Sequence, residues 1–455
     1  MRLARHAIEF DSASLPPSTL HATRRAILDG LGVMLAASGQ SPDVRPFFEW
    51  TQAQPGPPQA MVLGFNSRIS ASLAALVNGA MAHALDYEDA FDLAPLHPNA
   101  SLLPAALATA ETHRRCAREF LAAVALGCDL VCRLGLSLLR PLEAGGWYPP
   151  PILGAFGATL AAGRLAGLAP PQLCDAWSLM LAQNSCPGEI KCSPDSTMRA
   201  VREAFPAHAA LLSTELAARG VRGLEAPFEG EAAFYALFAG GEYDPSVLLD
   251  ALGERFWIEQ LSFKRWPCCR GTHAYIEAAQ ALRRGHDFEP ADIESVRCVG
   301  GPLQEMLAQP GPQKQSPRTV IDAKFSIPFT VALALIRPEV TLGSFTREAL
   351  HDPDLLSLAA RIEFALDPRS HSAAAGSLTL RLRDGRALHH AIAHALGEPA
   401  RPLSDAALRA KFIDCASRAA NPMSPAHAAR CADRILALDG EPDVGALLAA
   451  ILTES

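Results

Sequence analysis

The sequence predicts a mainly α protein: a large all-helical domain with a smaller α+β lid domain inserted late in the chain. Two observations carry this. Apolar residues recur at helical spacing over 18–37, 100–140 and 155–182, and helical patterns return after Pro402 over 405–419 and 425–438. Between those helical ends, Leu378, Leu380 and Leu382 alternate with Thr379, Arg381 and Arg383 before an Asp384-Gly385 turn, the pattern of a hairpin with one buried face. A chain of 455 residues exceeds one simple core. The divisions fall at 1–262 for the first part of the helical domain, 263–402 for the lid and 403–455 for the helical remainder.

Taken in order, the first half is a helical assembly interrupted at identifiable places. Residues 78–104, NGAMAHALDYEDAFDLAPLHPNASLLP, close one helix and open another. His83 and Asp86 lie three apart, on one face of the incoming helix. Pro95 and Pro98 each lack an amide hydrogen and push the preceding residue toward extended backbone, so the chain turns between Asp86 and His97. Pro149, Pro150 and Pro151 read as a stiff extended break. After them Gly154, Gly157, Ala158, Ala161 and Ala162 permit close helix packing; no strand precedes this run and it lacks phosphate-loop spacing, which excludes dinucleotide binding. Ser193-Pro194-Asp195-Ser196 reads as a loop and cap leading into one long helix over 198–220. In the inserted unit, 296–299 and 362–364 read as short strands, and 272–283 and 325–336 as helices.

Composition bounds the function. Hydrophobic residues make up 49% and charged residues 19%, ordinary for a helix-rich soluble enzyme. A net charge of −8 provides no basic field for nucleic acid or an anionic membrane. The longest apolar region, 121–139, carries Asp129 and Arg133 and reads as a buried helix of a soluble protein. The N-terminal MRLARHAIEF has no signal-peptide core, and eleven cysteines without CxxC pairs point to reduced thiols in a cytoplasm. Cys268 and Cys269 are adjacent, unsuited to joint ligation, and read as buried small residues; no metal is expected. Of the 40 basic residues 35 are arginine, so the five lysines, Lys191, Lys264, Lys314, Lys324 and Lys411, mark places where identity as well as charge matters.

Charge patterning locates the chemistry. Asp86, Glu88, Asp89 and Asp92 gather about −4, which is costly unless cations from elsewhere face them. Lys264, Arg265 and Arg270 in FKRWPCCRGTH supply about +3, with His273 beside them; Lys191, Arg199 and Arg202 against Asp195 supply about +2. An acidic protein with such a basic pocket beside a few carboxylates suits a small di- or tricarboxylate, held by cations while an Asp or His moves a proton. A base is needed at the carbon α to a carboxylate, and the developing charge must be stabilised. His83 by itself reads as structural.

The motifs NGAMAHALDYEDA, HPNASLLPAALA, FKRWPCCRGTHA, AKFSIPFTVALAL and GEPARPLSDAALRAKF resemble the MmgE/PrpD family, which contains 2-methylcitrate dehydratase, cis-aconitate decarboxylase and iminodisuccinate epimerase. The resemblance covers nearly the whole chain. It implies a helical domain built from both chain ends, an inserted lid, an active site between them, a homodimer and no cofactor. It also implies catalytic roles for Asp86, His97, Lys264 and His273, with His97 moving the proton, Lys264 binding a carboxylate and His273 assisting. Substrate-binding roles fall to Arg199, Tyr148, Lys191, Arg265 and Phe329. Arg199 stands where the family's dehydratases and decarboxylase carry lysine, Tyr148 in place of a histidine, Phe329 where tyrosine is common, and Ala90 where the decarboxylase has threonine. Arginine is effectively never deprotonated, so position 199 anchors an anion and is no base. The activity implied is a lyase of the dehydratase type acting on a small polycarboxylate or hydroxy acid, with a dicarboxylate epimerase or a silent carboxylate-binding relative as alternatives.

Overall fold

The structure, a computed structural model, describes residues 1–452. Its centre is the Pro98–Thr112 helix, buried at every residue from Pro98 to Glu111. A helix apolar on all sides must be enclosed by others. Here the enclosing helices include Pro149–Ala166, Ala71–Ala84 and Ala117–Ser137, and Ala204–Ala218 packs on the first two of these. Small residues allow these helices to approach closely. A Cβ on Gly157 would lie 2.4 Å from Val131 Cγ2 and 2.5 Å from the Gly127 carbonyl oxygen, and one on Gly127 would meet the Gly157 carbonyl at 2.8 Å. The two backbones therefore cross in contact. The Ala117–Ser137 helix is long and apolar enough to cross a membrane, yet most of it is buried within the fold, where Arg133 pairs with Asp129 at 2.6 Å.

Two helical expectations are corrected. Pro149, Pro150 and Pro151 are the first turn of the Pro149–Ala166 helix, because the amides a first turn leaves unpaired are those that proline lacks. The long helix expected over 198–220 is broken into Met198–Val201 and Ala204–Ala218. Pro206 accounts for the break: it cannot donate to the Arg202 carbonyl and its ring crowds that oxygen, so it is tolerated only in a new first turn. The N-cap of the first piece is Thr197, without a side-chain cap bond, while the expected Ser196 accepts from the Met198 amide at 3.2 Å from one position earlier.

The α+β unit carries a four-stranded sheet. β1 (Ala60–Val62) and β2 (Ser67–Ile69) form a separate small hairpin; β3 (Ile293–Gly300), β4 (Ile362–Leu366), β5 (Gly376–Leu382) and β6 (Ala387–Ile392) are ordered β4-β3-β5-β6. β5 and β6 pair antiparallel around Gly385, whose φ of +91° suits a residue without Cβ. Leu378, Leu380 and Leu382 are buried, and the His273–Gly285 helix covers this part of the sheet. β3 and β4 are parallel, Val296 opposite Ile362. Parallel pairing requires a long crossover, here helical.

Beyond the sheet, Asp405–Ala416 packs on Pro17–Gln40 near the other end of the chain. Lys411 reaches Asp29 at 2.6 Å in that contact. The helix opens with Ser404 Oγ accepting from the Ala407 amide.

Replacing Gly157 with alanine forces a methyl group into the Gly127 backbone. Overpacking of this kind costs about 1–3 kcal/mol, so Gly157→Ala is expected to lower the urea midpoint relative to the wild type. An unchanged midpoint would show that the crossing can open without loss.

Candidate active site

The segment that turns between two helices is shaped by one strained residue. The Ala71–Ala84 helix ends one residue after His83, and Asp86 has a φ of +49°, a left-handed conformation that aspartate tolerates better than most side chains. Asp86 is therefore past the helix, off the helical face expected for it, although its Oδ1 still lies 3.8 Å from His83 Nδ1. The turn aims the carboxylate at Lys264: Nζ donates to Asp86 Oδ1 at 2.6 Å and to the Asp86 carbonyl at 3.0 Å, with both side chains fully buried. Asp86 Oδ2 has no hydrogen-bond partner among the described residues.

Glu88 ties the rest together. Its Oε1 lies 2.5 Å from His83 Nδ1, 3.1 Å from His97 Nδ1 and 4.0 Å from Lys264 Nζ. The two imidazole rings are 5.2 Å apart, centre to centre. His97 Nδ1 is also 2.9 Å from the Asp89 carbonyl oxygen. Both neighbours of His97 Nδ1 are acceptors, which assigns the proton to Nδ1 and a lone pair to Nε2. Burial lowers the pKa of both histidines, and nearby cations, Arg202 for His83 and Lys264 for His97, add to it. His97 is thus a neutral imidazole at the edge of a cleft.

Lys264 is held in its charged form. Burial alone would lower its pKa, but the Asp86 and Glu88 carboxylates outweigh burial and raise it. The lysine brought down is Lys324, to about 8, by burial. Lys324 donates to the carbonyls of Leu85 at 2.8 Å and Pro267 at 2.7 Å, and Lys411 to those of Tyr87 at 2.7 Å and Lys264 at 3.1 Å. Between them they fasten the 85–87 turn to the 264–267 strand of chain. Asp89, buried near Asp29 and Glu88, is pushed up to about 8 and is held largely protonated.

The side-chain donors of His83, Asp86, Glu88 and His97 converge within 4.8 Å, a set whose chemistry suits a divalent cation. The expectation of no metal rested on cysteine spacing and did not foresee this convergence. In the structure the Lys264 ammonium supplies the positive charge beside Asp86 and Glu88.

The cleft beside His97 encloses about 110 Å³. Tyr148 and Lys191 line it, and the Tyr148 ring lies 5.0 Å from the Arg202 guanidinium and 5.8 Å from both Lys191 Nζ and the Arg199 guanidinium. Arg199 is buried, stacked 3.3 Å over the Phe325 ring, and its Nε and one Nη have no hydrogen-bond partner. Arg202 pairs with Glu203 at 3.0 Å, and Glu203 accepts from Ser101. Ala90 lines the cleft while its backbone exchanges hydrogen bonds with Ser262.

Asp86, Lys264 and Arg199 are buried but do not line the cleft, and three further expected site residues are placed elsewhere. Arg265 is exposed and does not line the cleft, and its carbonyl accepts from the Tyr87 hydroxyl. Phe329 is buried in the Ile327–Ile336 helix near Phe345, and Phe325 lines the cleft in its place. His273 does not line the cleft. Its Nδ1 lies 3.3 Å from Arg270 Nη1 and its Nε2 3.3 Å from the Cys268 carbonyl, with Trp266 against the ring edge. From this segment Cys269 and Arg270 reach the cleft instead, and Arg270 is held by Asp92 at 3.1 Å. Glu88, His83, Lys324 and Phe325 were not singled out as site residues. Lysine scarcity flagged Lys324; no local spacing marks Glu88 as the bridge between two histidines.

The family model described as the MmgE/PrpD N-terminal domain matches residues 1–246, and that of the MmgE/PrpD C-terminal domain matches 266–435. A cis-aconitate decarboxylase-like protein oryM of Aspergillus oryzae is 25% identical, with 98% of this chain and 95% of that protein covered. Cis-aconitate decarboxylases of Aspergillus terreus and Homo sapiens are 23% and 24% identical, over 84% and 77% of this chain and 82% and 74% of their own. The chain belongs to the MmgE/PrpD family.

Proposed function

We propose that the protein is a lyase that abstracts a proton α to a carboxylate of a small polycarboxylate or hydroxy acid, with loss of water as the reaction. The observation that carries this is His97: neutral, its Nδ1 held by two acceptors, and lining a cleft that also holds Lys191. The Nε2 lone pair takes the α proton as a general base. As the C–H bond breaks, charge moves onto the adjacent carboxylate, where Lys191 and the unpartnered N–H groups of Arg199 stabilise it. The carbon–oxygen bond at the β carbon then breaks, and the imidazolium returns its proton to the departing hydroxyl. Water leaves and His97 is neutral again. Asp86 and Lys264 do not touch the cleft directly; they fix Glu88, which fixes His97.

Decarboxylation is the second reading, favoured by the names of the relatives. It requires a proton delivered to carbon, so His97 would have to begin as imidazolium, against the burial that keeps it neutral. Proton NMR of candidate acids in deuterated buffer separates the outcomes. An alkene with every carboxylate retained supports dehydration, and one carbon lost as CO₂ supports decarboxylation. Exchange without net product would indicate an epimerase, and binding alone a silent relative.

His97→Gln keeps a polar side chain of similar reach but no base. Turnover is expected to fall roughly 10²- to 10⁴-fold with folding unchanged by circular dichroism; wild-type turnover would remove His97 from the chemistry. Because burial lowers its pKa, the base form persists below the ordinary histidine value. The acid limb of kcat/KM should therefore lie below pH 6.5, and a limb at or above that value would count against His97 as the base.

Lys264→Arg tests the fit of the buried ammonium. A guanidinium is larger and planar, and displacing Asp86 and Glu88 shifts His97. A shift of about 1 Å costs roughly 10²-fold in rate, so Lys264→Arg should approach Lys264→Ala, whereas Arg265→Lys on the exposed side should match wild type. Near-wild-type turnover for Lys264→Arg would show that charge alone suffices.

A further inference from the structure

The histidines and carboxylates behind the cleft hold more lone pairs than the protein uses. His83, Asp86, Glu88 and His97 each bring one donor atom into a group no wider than 4.8 Å, made of two imidazole nitrogens and two carboxylate oxygens. Four ligands of that mixture suit zinc, which binds nitrogen and oxygen at about 2.0–2.2 Å. Asp86 Oδ2, Glu88 Oε2 and His83 Nε2 are buried with no hydrogen-bond partner among the described residues. A buried carboxylate oxygen without a donor costs free energy that a cation removes. Among the described residues, Lys264 is the one Lys or Arg paired with either carboxylate, 2.6 Å from Asp86 and 4.0 Å from Glu88. Arg202, which also faces His83, is answered by Glu203 at 3.0 Å.

Of the four residues, His97 lines the cleft and is the point of entry. Its Nδ1, 3.1 Å from Glu88 Oε1, carries the proton and leaves the lone pair on Nε2. An ion on Nδ1 reverses this arrangement. Nδ1 gives up its proton and Nε2 gains one, so the ring stays neutral with no net proton lost. The lone pair then points at the metal, and none faces the substrate.

We propose that these four residues form a zinc site in which the ion displaces the Lys264 ammonium from Asp86 Oδ1, and that zinc arrests turnover by moving the His97 proton from Nδ1 to Nε2. Lys264 keeps its bond to the Asp86 carbonyl, 3.0 Å away. The site stands on the geometry alone; its effect on turnover rests on the proposed reading of His97 as the base.

Cobalt(II), whose visible bands report its ligands, is titrated into the full chain carrying no added histidines, and zinc is then used to displace it. One equivalent is expected to give the d–d bands of a bound ion without the near-ultraviolet charge-transfer band of a thiolate, the eleven cysteines being the competing ligands. Glu88→Gln and His83→Gln should each weaken binding by at least about 10- to 100-fold, the loss that follows even from removing a partner of a ligand. Lys264→Ala, which removes the competing charge, should bind at least about tenfold tighter, whereas a merely damaged site binds more weakly. No bands, a thiolate band, unchanged affinity in both ligand variants, or weaker binding by Lys264→Ala would overturn the site. Zinc is expected to abolish turnover at one equivalent and EDTA to restore it. Zinc bound at these residues with turnover intact would leave the site standing and reject both the arrest and His97 as the base.

Discussion

The structure depends on a fully buried ion pair between residues 178 positions apart, Lys264 and Asp86. Burying two charges is expensive, and losing one partner of such a pair costs about 3–5 kcal/mol because the other is left uncompensated. The left-handed backbone at Asp86 is stable only because the pair and its surroundings hold it. Glu88 is within 4.0 Å of the same ammonium, and through Glu88 both histidines take their orientation. Pair, strain and imidazole geometry therefore stand or fall together.

Two further lysines make that arrangement rigid, and one of them, Lys411, also pairs with the buried Asp29. Lys324 and Lys411 each donate to a carbonyl on either side of the junction, so the backbone of 85–87 and that of 264–267 are stitched by short ammonium hydrogen bonds. An ammonium carries three donors on a slender stem and can reach between two carbonyls in a confined space; a guanidinium presents a flat fork and does not fit the same gap. In a chain with 35 arginines and five lysines, four of the five lysines are buried: Lys264, Lys314, Lys324 and Lys411. The fifth, Lys191, lines the cleft. The residue bias thus has a steric meaning.

The cleft itself divides its labour by polarity. One wall supplies a neutral base and Lys191, with the incompletely bonded Arg199 stacked on the Phe325 ring of that wall, the other apolar side chains. Unfilled donors in a buried position are costly in the free protein and are repaid when an anion arrives, which is how a small acid is captured by a protein whose net charge is −8. Cations already committed to internal partners, such as Arg270, shape the wall and add no capacity for substrate.

The sequence by itself determined the helical body, the hairpin around Asp384-Gly385 and the meeting of an acidic segment with a basic one, because each of these is written in local periodicity, turn chemistry or charge. Pattern alone was less able to judge prolines: three in a row look like a break and open a helix, and Pro206 splits a helix whose apolar pattern runs on unbroken. The parallel pairing of β3 with β4 has no local signature, since its partners meet only after a long crossover. In the site, the coming together of Asp86, His97 and Lys264 was legible, whereas the bridging of two histidines by Glu88, the withdrawal of His273 and Arg265, and the place of Phe325 rather than Phe329 at the cleft were not. Those outcomes depend on which side chain points inward at a turn and which donors are already taken, and only the tertiary structure decides that, because direction and hydrogen-bond partners are properties of residues far apart in the chain.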